Sequence, residues 1–135
     1  MKFAAAWTTK HEWHQAVEDL AQQIHAQFGP AKTDLAVLFV HPHFLDPLAE
    51  IAASVRRRSG ARHLLGCTGA AIIGSDVEVE DAPAMSLLVA QLPDTTLTPW
   101  RISAEEIEEA TSPQFWHFQS EITPAENPQI LLLAD

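Results

Sequence analysis

The chain opens on a short apolar run, KFAAAW at Lys2 to Trp7, of the length and character of a buried strand. From Trp13 the period changes. Trp13, Val17, Leu20, Ile24 and Phe28 recur at three- and four-residue steps, which draws one apolar stripe along a helix and predicts that the helix packs on a sheet. Thr9 followed three residues later by Glu12 has the form of a capping box at its start, and Gly29-Pro30 closes it. DLAVLFV, Asp34 to Val40, is continuously apolar after its first residue, the pattern of a central strand covered on both faces. HPHFLDP interrupts, and a second helix begins with Asp46 as cap and Pro47 in the first turn, where a missing N–H costs nothing. Leu48, Ile51, Ala52 and Val55 face inward, Gly60 ends the helix, and RHLLGC forms a third strand. Strand, helix, strand, helix, strand with short joints predicts parallel strands joined by crossovers.

The pattern then turns to strands without helices between them. VEVED alternates, APAMSLLVAQLP is a long strand candidate and LTPWRI another, with turn residues at the joints, so antiparallel pairing is expected. Ser103 with Glu106 forms a second capping box, with Ile102 placed to staple onto Ile107, and the four glutamates of that helix read as a solvated face. ILLLAD at Ile130 to Asp135 reads as a last buried strand. The expected fold is α/β with a mixed sheet: a parallel βαβαβ start, antiparallel strands after it, and helices packed on the sheet.

Composition narrows the function classes. A chain of 135 residues fits one domain, and its longest apolar run is far below the ~18 residues of a membrane span. The uninterrupted apolar run before Thr8, five residues from Phe3 to Trp7, falls short of the about 7 to 15 of a secretory signal, so a cytoplasmic location is expected. A net charge of −10 repels a phosphate backbone and argues against nucleic acid as a partner. The basic cluster at Arg56 to Arg58 suits the carbonyl end of a helix.

The candidate chemistry centres on LLGCTGAAIIG, where the only cysteine lies between two glycines. If strands two and three are parallel, HPHF and CTG leave the sheet at one carboxyl edge, where open α/β sheets bind ligands. His41, His43, Cys67, Thr68 and Gly69 then converge on a cleft offering imidazole, thiol, hydroxyl and free backbone N–H groups. The plainer reading is that these residues simply finish strands, cysteine being among the most buried types. Cys67 as a nucleophile with His43 as its base is the enzyme alternative, and it needs a neighbour that activates the thiol. The glycines at 66, 69 and 74 match neither the phosphate-loop nor the dinucleotide pattern, so no cofactor is expected. A metal site is not expected at His41 and His43, because catalytic zinc generally takes three protein ligands. Trp7, Trp13, Trp100 and Trp116 read as packing residues, with no basic residues interleaved to make a stacking platform.

The segments DLAVLFVHPHF, LLGCTGAAIIGSDVEVEDAPAMSLLVAQLP and ILLLAD resemble, in order and spacing, the amino-terminal part of the FIST domain, named for F-box and intracellular signal-transduction proteins. The middle segment is the most specific: a strand ending GCTG, an isoleucine-glycine, an acidic VED-like stretch, then an apolar strand. The resemblance implies a sensory domain that binds a small ligand, amino acids among the candidates, and that is completed by a carboxyl-terminal FIST region of the same protein. On that reading residues 1–135 are a single domain or the amino-terminal portion of one. The family supplies no catalytic residues to carry over. Ala70 and Ala71 depart from the more polar or glycine-containing pair of many relatives. An interaction module completed by a missing carboxyl-terminal half is the third expectation.

Overall fold

The computed structural model describes residues 1–29, 32–120, 122, 125 and 127–133. The chain divides into two compact units, Met1–Thr95 and Thr96–Asp135.

Unit one is built on β1 (Lys2–Thr8), α1 (Trp13–Phe28), β2 (Thr33–Val40), α2 (Leu48–Ser59), β3 (Ala61–Thr68), β4 (Ala71–Ile73), β5 (Glu78–Glu80) and β6 (Met85–Gln91). The main sheet has the order β1-β6-β2-β3, and β4 with β5 forms a separate antiparallel ribbon. β2 and β3 are parallel, while β6 lies antiparallel between β1 and β2. β1, β2 and β3 therefore run in one direction and end at a common carboxyl edge. The fold is α/β with a mixed sheet, as the periodicity implies, but the late strand β6 is inserted at its centre. MSLLVAQ suits that place: its apolar residues serve both faces, and a central strand is covered on both sides.

Alternation along each strand assigns the two faces. Ala4 and Ala6 of β1, Ala36, Leu38 and Val40 of β2, and Met85, Leu87 and Val89 of β6 pack with Leu20, Ile24, Ile51 and Val55 of the helices in one buried cluster. Each large side chain wholly buried there contributes about 1.5–3 kcal/mol. The opposite face carries Ala5, Trp7, Phe39, Cys67, Ser86 and Leu88. Much of it is open: Phe3 is 56% and Leu88 41% exposed.

β1 is an edge strand, and α1 blunts it. The Gln23 side chain accepts from Trp7 N (3.3 Å) and donates to Trp7 O (2.8 Å), while Gln27 Nε2 donates to Ala5 O (2.7 Å). The two amides, one helical turn apart, stand in for a neighbouring strand and occupy an edge that would otherwise template aggregation. Across the sheet, Gly66 lets β3 pair closely with β2, since a Cβ there would lie 1.9 Å from the Leu38 carbonyl oxygen.

Several expectations are corrected. The Thr9–Glu12 capping box does not form: Glu12 is itself the cap, without a side-chain bond. Thr8 instead organises the turn, its hydroxyl donating to Asp19 Oδ2 (2.6 Å) and accepting from Lys10 N (3.4 Å). Gly29 ends α1 as expected, and Pro30 lies outside the described residues. α2 is capped at Pro47 rather than Asp46, and a short 3-10 turn, Pro42–Phe44, precedes it.

In unit two, α3 (Ala104–Glu109) and α4 (Pro113–Ser120) are helical. The Ser103–Glu106 capping box is present in full, with both reciprocal bonds made. Trp100 and Trp116 meet edge to face at 5.8 Å, so these two indoles pack on one another. LTPWRI is not a strand: residues 97–102 are irregular, and Pro99 removes a ladder donor. Residues 130–133 are likewise not a strand, and Ile130, Leu131 and Leu132 are 60–79% exposed. An apolar run becomes a strand only where it finds a pairing partner. Ala134 and Asp135 lie outside the described residues.

Candidate functional site

The carboxyl edge gathers the turns that follow the parallel strands. After β2, His41 N donates to Ala84 O (3.0 Å), which anchors the turn to the start of β6. The His41 ring then caps the 3-10 turn, Nδ1 accepting from His43 N at 3.1 Å. His43 is exposed, its ring edge-on to Phe44 at 4.9 Å and to His11, from the β1–α1 turn, at 6.1 Å. After β3, Gly69 N donates to Val40 O (3.1 Å), so the CTG turn folds against the end of β2. Thr68 is exposed beside Val40 in register. His41, His43, Thr68 and Gly69 thus share one edge, and His11 joins them.

Cys67 belongs to a different surface. Consecutive strand residues point to opposite faces, so Thr68 turns to the helix side and Cys67 to the open face. There register places Cys67 beside Phe39, Phe39 beside Ser86, and Ser86 beside Trp7. The thiol is half-buried and free, and no hydrogen bond joins it to His43 among the described residues.

Two members of this row, Phe39 and Ser86, line a half-open cavity of about 410 Å³ between the open face and the β4 segment, while Cys67 and Trp7 are not among its lining residues. From the sheet it is lined chiefly by Ala5, Phe39, Ser86 and Leu88, with Ala6 and Leu87 beside them; from β4 and the turn after it, by Ala71, Ile73, Gly74 and Ser75. Its volume lies within the ~300–1,000 Å³ usual for small-molecule pockets. Gly74 sets how closely β4 can approach, since a Cβ there would come within 2.7–2.9 Å of the Trp7 ring. The Trp7 ring therefore packs directly against Gly74, itself a lining residue of the cavity.

Two features of the cavity bear on its chemistry. No charged side chain is among its described lining residues. Neither Ser86 nor Ser75 directs its hydroxyl to another described residue, so both are available to a bound molecule. Among the described residues, no three histidine, cysteine or carboxylate side chains gather as metal ligands.

The sequence pattern marks the edge residues and Cys67 but not Phe39, Ser86, Ala71 or Gly74 as a lining. A signal is present in Ser86, one hydroxyl in the otherwise apolar centre of MSLLVAQ. His11 has no signal, because its approach to His43 depends on the β1–α1 turn.

Comparison with protein families finds a match to the FIST N domain over residues 34–135, a family linked to sensing in signal transduction. No curated protein and no solved structure matches. No helix among the described residues is long and apolar enough to cross a membrane.

Proposed function

We propose that this chain, which belongs to the FIST N domain family, is the small-ligand-binding part of a sensory protein, with its ligand in the cavity beneath β4. One observation carries the proposal: a pocket of ligand size on a sheet face, closed on one side by a ribbon whose strands pair with each other and not with that sheet. Ligand sites commonly lie near the carboxyl edge of such sheets. In this reading Cys67 stands at the end of the row that floors the site, and the turns carrying His41, His43, Thr68 and Gly69 form the polar approach to it. β4 and β5 are the element a ligand would hold. A ribbon drawn onto the ligand, and released without it, gives the sensor two states of different ligand affinity, which signalling requires.

Calorimetric titration of the full chain tests this. The panel starts from amino acids and small carboxylates, which the family resemblance suggests, and extends to neutral aromatic compounds. Saturable binding that is weakened by Ala71→Leu is expected. Saturable binding unchanged by Ala71→Leu would move the site elsewhere.

A second reading is favoured by the exposed apolar side chains Phe3, Ile73 and Leu88 on and beside the same face. These would suit an interaction module covered by a carboxyl-terminal FIST region of the same protein. Sedimentation distinguishes the two: self-association of the chain that is relieved by adding such a region supports the second, and a clean monomer argues against it.

A further inference from the structure

We infer that the cavity takes a neutral, largely apolar small molecule carrying one hydrogen-bonding group, and that this group meets the Ser86 hydroxyl. The inference rests on the cavity being the ligand site and adds the chemistry of the ligand.

The lining dictates the class. Ala5, Phe39, Ala71, Ile73 and Leu88 offer only apolar side chains, and no described lining residue is charged. The cavity is half-open, so an ammonium or carboxylate pressed against them gives up part of its hydration and gains no partner from these side chains, a cost that apolar contact does not recover. Two hydroxyls interrupt that lining, the exposed Ser75 and, on the sheet itself, Ser86. Ser86 lies half-buried on a central strand, between Trp7 and Phe39 in register, and its hydroxyl bonds to no other described residue. The Ser86 oxygen is not sealed from solvent, and a hydroxyl so placed is free to meet a ligand atom or a bridging water. A hydroxyl both donates and accepts, which admits an alcohol, phenol, amide or indole N–H equally.

Size follows from the same residues. Alanine or glycine at positions 5, 71 and 74 leaves the space under β4 unfilled. An apolar cavity of about 150 Å³ holds benzene, so one of about 410 Å³ has room for a bicyclic ring. Phe39 offers a ring for offset or edge contact with such a ligand.

The test is calorimetry on the full chain with indole and benzyl alcohol, against benzoate, benzylammonium and L-phenylalanine. The neutral probes are expected to bind at least about tenfold more tightly than each charged one, a difference of about 1.4 kcal/mol. Ala71→Leu fills the cavity and should weaken indole at least about tenfold. Ser86→Ala should weaken both neutral probes about three- to tenfold, the effect of one neutral hydrogen bond. Circular dichroism checks that each variant is folded, and Ala5→Leu fills the same space from the sheet side if Ala71→Leu is not. Benzoate or L-phenylalanine binding as tightly as indole, with the same loss in Ala71→Leu, would overturn the ligand class and leave the site standing. Binding of neutral probes that ignores both filling variants, or no binding of any probe at millimolar concentration, would overturn the site together with the class.

Discussion

Replacing Gly66 by alanine probes the contact on which the β2–β3 pairing depends. The added methyl would lie 1.9 Å from the Leu38 carbonyl oxygen and 2.8 Å from its carbon. A carbon and a carbonyl oxygen approach to about 3.3 Å, so the two strands must part locally by about 1.4 Å. A ladder bond of about 2.9 Å stretched by that amount is no longer a hydrogen bond. Loss of the two bonds flanking the site, at about 0.5–1.5 kcal/mol each, gives about 1–3 kcal/mol. Domains of this size have only about 5–15 kcal/mol in total. A loss of about 3 kcal/mol should lower the melting temperature by roughly 12–24 °C. Urea denaturation followed by circular dichroism measures it, with Gly69→Ala as control. A Cβ at Gly69 would meet its nearest neighbour, the Ala71 oxygen, at 3.1 Å, and an effect within about 1 kcal/mol is expected. Gly66→Ala within about 0.5 kcal/mol of wild type would refute the reasoning, because an unperturbed surface site behaves that way.

Other substitutions test separate parts of the structure. Gln23→Ala removes both bonds to the backbone of Trp7 and should cost about 1–3 kcal/mol. It should also raise aggregation, measured by light scattering at elevated temperature, since the β1 edge is uncovered. Ile51→Ala, at a wholly buried position, should cost about 2–5 kcal/mol in chemical denaturation, while Leu45→Ala, 58% exposed, should stay within about 0.5 kcal/mol. Gly74→Ala forces the Trp7 ring aside and should cost about 1–3 kcal/mol, with the indole emission moving to longer wavelength as the ring meets water. Gly29→Ala meets no atoms within 4 Å but keeps φ 73° and ψ −167°, a region essentially confined to glycine, and should cost about 1–3 kcal/mol by denaturation.

The helices α1, α2 and α3 and the three parallel strands were legible because their signals are local, whereas α4 (Pro113–Ser120) was not anticipated. The stripe from Val17 to Phe28, the run at Asp34 to Val40, and Gly60 at the end of α2 each depend on neighbours a few residues away. The place of β6 was not legible, because sequence periodicity reports how many faces of a strand are covered but not beside which strand it lies. The same limit explains LTPWRI and residues 130–133. Both have strand-like composition, and neither finds a partner among the described residues. The candidate site was half legible for a related reason. Chain order marks which turns follow which strands, and so places His41, His43 and Gly69 at one edge. The cavity, by contrast, depends on alternation across β1, β6 and β2 in register and on the β4 segment beside them. Alternation also separates Cys67 from Thr68, and brings Ser86 and Phe39, far apart in sequence, side by side.

The most direct measurement is a two-dimensional amide NMR titration of the ¹⁵N-labelled full chain with indole, with backbone assignments in hand. Shifts that saturate and cluster at Phe39, Ala71, Gly74 and Ser86, with little change along α1 and α2, are the predicted result. Shifts confined to the His41–His43 turn, or spread over the helices with those four amides unmoved, would contradict a ligand site on the open face of the sheet.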